Sequence, residues 1–230
     1  MMKTSTFQSQ HPFLAGFWLI IAIPVFAFIV FPFMKKLGLD DLYTVLGLLV
    51  MFLVHFGAGY LWARSLGLRS GLPINKMFNV FGGLGFALGV VGILFLIISN
   101  TNGGHPIVRW IESFKGVGNL EFGVVFAPWT GLVCGISGFA LGVGLKDLKL
   151  ALKLLALGFA TGFLIYLAIM FTMQLLGFKV GSGWPVMLPT TFLAMWVTAL
   201  VGSGLFGRVM RRSKTSLEST DQSSHNREKT

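Results

Sequence analysis

FGVVFAPWTGLVCGISGFALGVG (residues 122–144) and LLALGFATGFLIYLAIMFTMQLL (residues 154–176) contain no Asp, Glu, Lys or Arg, and only LKDLKLALK separates them. A bilayer core about 30 Å thick needs roughly 20 apolar residues at 1.5 Å each. Both runs are long enough to cross it. Working outward, four more charge-free runs lie near 78–99, 42–63, 13–33 and 186–207. Backbone groups cannot be left unpaired in hydrocarbon, so each run is expected to be a helix. The expected fold class is therefore all-α, a polytopic bundle of six transmembrane helices.

The composition agrees. Of the 230 residues, 54% are hydrophobic and 11% are charged, against about 25% charged in a soluble domain. The net charge of +10 raises the question of nucleic acid. The bases sit at segment ends, however, and leave no basic surface domain once six helices are removed, so no nucleic-acid partner is expected. Counting Lys and Arg by alternate loops gives an orientation. Lys3, Arg64, Arg69, Lys76, Lys146, Lys149, Lys153, Arg208, Arg211, Arg212, Lys214, Arg227 and Lys229 make thirteen on one side, against five on the other: Lys35, Lys36, Arg109, Lys115 and Lys179. Both termini are expected to be cytoplasmic, in a multi-pass protein of a bacterial cytoplasmic (inner) membrane.

Residues 1–12 read as a polar cytoplasmic lead and 13–212 as the transmembrane domain. Residues 213–230 hold one aliphatic residue, Leu217, and no aromatic one, so a disordered cytoplasmic tail is expected. The first segment reads as a retained signal-anchor, because its apolar run exceeds a 7–15-residue signal core. In the external loop, Pro106 opens a stretch in which Ile107, Trp110, Ile111 and Phe114 follow helical spacing. That predicts an amphipathic helix near 106–115 lying in the interface. Trp184 is read as an interfacial anchor.

The six helices fall into three tandem hairpins on this reading. Gly16-Phe17, Gly85-Phe86 and Gly162-Phe163 mark the odd segments, and clusters at Gly57, Gly135 and Gly202 mark the even ones, 41, 50 and 40 residues further on. Internal repeats are common in transporters, although a small membrane alphabet produces such matches by chance. Gly85, Gly89, Gly131, Gly135, Gly138, Gly142, Gly158 and Gly162 are assigned to helix packing. Small-xxx-small spacing lets backbones approach where lipid supplies no hydrophobic drive. Pro24 is expected to kink the first helix.

Candidate pathway or ligand residues are His55, Tyr60, Asn79 and Ser137. His55 is the one histidine in a predicted span, and an ionisable group there is a functional candidate by default. A neutral histidine bonded to a neighbouring helix accounts for it equally well. Cys134 stands alone, reads as a packing residue and allows no intramolecular disulfide. No cofactor and no metal site are expected. Gly135-Ile136-Ser137-Gly138 resembles the GxSG motif of rhomboid intramembrane proteases, which would make Ser137 a nucleophile. That chemistry needs a histidine base on a later helix, and the sixth segment has none, so the protease reading is rejected.

With no carboxylate in any predicted span and no Walker A sequence, catalysis is not expected. Two functions remain. One is a small transporter or permease, or the membrane component of a transport system driven by a partner ATPase. In topology alone, the chain resembles the six-helix substrate-binding components of energy-coupling-factor vitamin transporters. The other is a non-catalytic subunit or assembly factor of a larger membrane complex. The expected partners are the lipid bilayer and, in either case, other membrane subunits.

Overall fold

The computed structural model describes residues 11–25, 29–36, 45–72, 75–101, 119–178 and 193–213. All regular structure among them is helical, with no strand. A 3-10 turn, Pro12–Gly16, leads into α1 (Phe17–Val25), followed by α2 (Phe31–Lys36), α3 (Val45–Ser70), α4 (Lys76–Thr101), α5 (Asn119–Gly144), α6 (Leu148–Leu175) and α7 (Leu193–Ser213). Among the described residues four helices, α3, α5, α6 and α7, are long and apolar enough to cross a membrane. The architecture fits an integral membrane protein. The external helix expected at 106–115, most of the polar lead, the tail beyond residue 213 and the start of the sixth run lie outside the described residues.

Helix ends depart from the charge-free runs in a consistent direction. The helix expected at 154–176 begins at Leu148, where the Asp147 Oδ1 accepts from the Leu150 N–H at 2.9 Å. The helix expected at 78–99 begins at Lys76, with the Asn75 Oδ1 accepting from the Phe78 N–H at 2.7 Å. Both are N-caps that satisfy orphan donors of the first turn. Likewise α3 runs through Arg64 and Arg69, and α7 through Arg208, Arg211 and Arg212. A charge ends an apolar run without ending a helix, because long basic side chains reach outward from a continuing backbone.

The first run is described in pieces, because residues 26–28 lie outside the described residues. The span expected over 13–33 is described as the Pro12–Gly16 turn and two helices of nine and six residues. Pro12 opens the turn, Pro24 lies in the last turn of α1, and Pro32 lies in the first turn of α2. Proline is tolerated in a first turn and removes a backbone donor deeper in a helix.

Three helices end alike. After α3, the Leu72 N–H donates to the Gly67 O at 3.1 Å and Gly71 takes φ +68°. After α6, the Phe178 N–H donates to the Met173 O at 3.0 Å and Gly177 takes φ +78°. After α5, the Asp147 N–H donates to the Gly142 O at 3.1 Å, but the left-handed position is Lys146, at φ 59°. These are Schellman ends, and one of them lacks the usual glycine.

One cluster ties the bundle together. Ala15, Trp62, Ala63, Leu66, Phe78, Leu141, Leu150, Leu154, Phe206 and Met210 are buried in mutual contact. They come from the N-terminal turn, the C-terminal parts of α3, α5 and α7, and the N-terminal parts of α4 and α6. The helix ends carrying Arg64, Arg69, Lys76, Lys146, Lys149, Lys153, Arg208, Arg211 and Arg212 therefore converge at one end of the molecule. Outward-facing apolar residues, among them Leu152, Leu164, Phe171 and Leu175 on α6, stay exposed. An apolar face of that extent fits a lipid surroundings better than water.

Helix α5 packs along its length against α6, which the hairpin reading places in a different hairpin. Their connection is only Leu145-Lys146-Asp147, and short links favour antiparallel neighbours.

Candidate functional site

His55 lies on α3, 3% exposed, with its Nδ1 2.8 Å from the Met51 O one turn earlier. A carbonyl only accepts, so Nδ1 carries the proton and donates. The ring sits 5.7 Å from that of Phe86 on α4, at a tilt of 44°. Tyr60, half-buried, lies one turn on from Phe56, ring to ring at 6.4 Å. Asn79 is buried near the start of α4, and its Oδ1 has no hydrogen-bond partner among the described residues. Ser137 is buried on α5 with its hydroxyl donating to the Val133 O of the same helix at 2.7 Å. The Ser137 Cα stands 3.2 Å from where a Cβ on Gly85 would lie. The structure thus brings His55, Phe86, Gly85 and Ser137 into the α3–α4–α5 contact, while Asn79 lies two turns nearer the basic end.

The eight nominated glycines all lie at helix crossings. A Cβ on Gly85 would stand 2.5 Å from the Ala140 Cβ, and one on Gly89 3.2 Å from the Val133 Cα. Across α5 and α6, a Cβ on Gly131 would stand 2.9 Å from the Phe159 O, on Gly135 3.1 Å from the Leu155 O, and on Gly162 2.6 Å from the Thr130 O. Gly138 meets the Leu154 O at 2.5 Å, Gly142 meets Ala151 and Gly158 meets the Cys134 O. Most of these obstacles are backbone, which cannot swing aside. The Thr130 Oγ1 donates to the Ala127 O at 2.9 Å and also reaches the Gly162 O of α6 at 3.3 Å. The α5–α6 seam is a backbone-to-backbone contact pinned by one hydroxyl.

Two features were missed by reading the sequence. The first is a buried link between α3 and α7. The Trp62 Nε1 donates to the Ser203 Oγ at 2.9 Å, and that hydroxyl donates on to the Ala199 O at 2.6 Å. Trp62 and Ser203 are each 1% exposed. Trp62 stands in the last turn of its charge-free run and looks like an interfacial anchor. Only its burial reveals the link.

The second is a layer midway along α5, α6 and α7. Leu154 and Phe206 belong to one buried cluster, and Tyr166 and Ala194 to another. The two clusters lie twelve residues apart along each helix in opposite order, so α6 and α7 run antiparallel. Thr198 and Gly202 lie one turn apart on one face of α7, between the levels of the two clusters. Thr198 is 3% exposed, and its Oγ1 has no hydrogen-bond partner among the described residues. Gly202 is buried, yet no described atom lies within 4 Å of where its Cβ would stand. Thr161, also buried, lies at the same depth. A hydroxyl without a partner and a position left open among the described residues therefore adjoin on one face of α7. Such a layer can give or accept a hydrogen bond and carries no charge.

Among the described residues no three His, Cys, Asp or Glu side chains come together. Comparison with protein-family models, with curated proteins and with solved structures found no match.

Proposed function

We propose that this chain is a six-span protein of a bacterial cytoplasmic membrane, with both termini cytoplasmic, serving as the membrane component of a transport system. The observation that carries this reading is the Thr198 hydroxyl, buried without a hydrogen-bond partner among the described residues and one turn from Gly202, whose Cβ position no described atom approaches. Transporters place their binding sites near the bilayer midplane. A buried polar group in that position costs free energy unless something satisfies it. The solute suited to such a layer is uncharged. His55 and Ser137, at the α3–α4–α5 contact, serve as a second polar station, with Asn79 two turns nearer the basic end. Energy comes from a partner chain, and no catalytic step is assigned to this one.

A second reading, a non-catalytic subunit of a larger membrane complex, draws on the backbone contacts at Gly142, Gly158 and Gly162. Packing that close favours a rigid scaffold over a moving one.

One experiment separates the two readings. The full chain is tagged, extracted in mild detergent, and its co-purifying proteins and small molecules are identified by mass spectrometry. Reconstituted protein is then tested for flux of any retained solute. Transport predicts a retained solute or an ATPase, with flux reduced in Thr198→Val. A stable complex without flux, unaffected by Thr198→Val, supports the scaffold and overturns the transport reading.

A further inference from the structure

A groove of about 350 Å³ runs between the N-terminal turn and the C-terminal two thirds of α7. Its construction follows from small residues. Gly16 lets the turn approach the Ala199 backbone, and Gly207 admits Pro12, where a Cβ would stand 2.5 Å from the Ala199 O and the Pro12 Cβ respectively. Between these two contacts Gly204 has no side chain, so the surface stays open beside Phe13. Leu200, Leu205 and Phe13 line the apolar part, while His11, Arg208 and Arg211 line the other end. From Leu200 to Arg208 is eight residues, about 12 Å of helix. Phe13 is 43% exposed, so the groove opens sideways from the bundle. The Arg211 Nη2 donates to the Arg69 O, which holds that guanidinium at the α3–α7 junction. Arg208 is exposed at the rim.

We propose that this groove is a binding site for an anionic phospholipid, with an acyl chain along Leu200 and Leu205 and the headgroup phosphate at Arg208 and Arg211. The charge complementarity lies in the contrast between the two ends of the groove. An apolar wall open to the side ends in basic groups at the end of the bundle where the other helix-terminal bases converge. Basic pockets between helices on the cytoplasmic side are suited to anionic headgroups, and guanidinium matches phosphate geometry. A free phosphate would use the arginines and leave the apolar wall unfilled. The inference stands apart from the transport reading, because a scaffold could hold the same lipid.

The test is native mass spectrometry of the purified full chain offered equal amounts of phosphatidylglycerol and phosphatidylcholine. Wild type is expected to retain phosphatidylglycerol preferentially. Arg208→Gln is expected to lower that retention about fivefold, the equivalent of one basic contact near a membrane surface. Gly204→Leu, which fills the groove, is expected to lower it as well, and Lys153→Gln, an exposed base on α6, to leave it unchanged. Three results would each overturn the proposal: equal retention of the two lipids, an equal loss in Lys153→Gln, or displacement of the lipid by inorganic phosphate alone. Arg208→Gln removes only an exposed side chain, so the test does not depend on Gly204→Leu folding.

Discussion

Lys146 holds a left-handed backbone at φ 59° in the Schellman end of α5, where α3 and α6 place Gly71 and Gly177. A side chain in that region costs roughly 1–2 kcal/mol, and glycine avoids the steric part of it at some cost in chain entropy. Lys146→Gly is therefore expected to stabilise the protein by about 1 kcal/mol. The check is the thermal midpoint in detergent, and a fall in that midpoint would contradict the assignment. His55 poses a different residue-scale question. Its Nδ1–H serves the Met51 carbonyl and its ring packs on Phe86, so the side chain has a structural role whatever else it does. His55→Ala is expected to reduce function more than His105→Ala, measured as flux or as partner retention. Equal behaviour of the two variants would remove His55 from the pathway. The sequence marks His55 as exceptional because it is ionisable in an apolar run. Its bonding was not legible, since a partner four residues back on the same helix leaves no pattern in composition.

At the scale of elements, the small-residue spacing was legible in advance, and the geometry shows why glycines differ from one another. Gly158 faces the Cys134 carbonyl, whereas Gly57 has no described atom within 4 Å of its Cβ position. Overpacking a tight site costs about 1–3 kcal/mol, and replacing glycine in an open helical site by alanine gains up to about 1 kcal/mol. Gly158→Ala should accordingly lower the midpoint of thermal unfolding while Gly57→Ala leaves it unchanged or raises it. The same direction in both would mean that propensity, not α5–α6 contact, governs these positions. The Trp62–Ser203 link supplies a second element-scale test. Interhelical hydrogen bonds in membranes average about 0.6 kcal/mol in double-mutant cycles. A cycle of Trp62→Phe with Ser203→Ala should return coupling of that order, and zero coupling would show that this hydrogen bond does not help hold α3 to α7. What charge-free runs could not supply were the helix ends. Asn75 and Asp147 cap α4 and α6 by hydrogen bonds, so the helices extend into charged sequence that hydropathy excludes.

For the molecule as a whole, the register of the buried clusters converts a loop-by-loop charge count into a geometric statement. Trp62 meets Ser203, and seven residues later Arg69 meets Arg211, eight residues on from Ser203. Thus α3 and α7 run in the same sense, and α6 runs against α7 by the order of the two buried clusters along each helix. Those directions bring Lys76, Lys149 and Arg212, all exposed, to one end and Leu176 to the other. That the apolar runs are helices was legible from the sequence; which helices touch was not, because α5 and α6 meet through backbone atoms that every glycine-rich run shares. The directions and the orientation proposed above can be tested together. In a Cys134→Ser background, single substitutions Lys76→Cys, Lys149→Cys, Arg212→Cys and Leu176→Cys are exposed to a membrane-impermeant maleimide. With a cytoplasmic basic end, the first three should label only after permeabilisation, and Leu176→Cys in intact cells. The reverse pattern would invert the protein in the bilayer while preserving the bundle. A split among the three basic positions would break the bundle itself, since the cluster from Ala15 to Met210 holds those helix ends at one level.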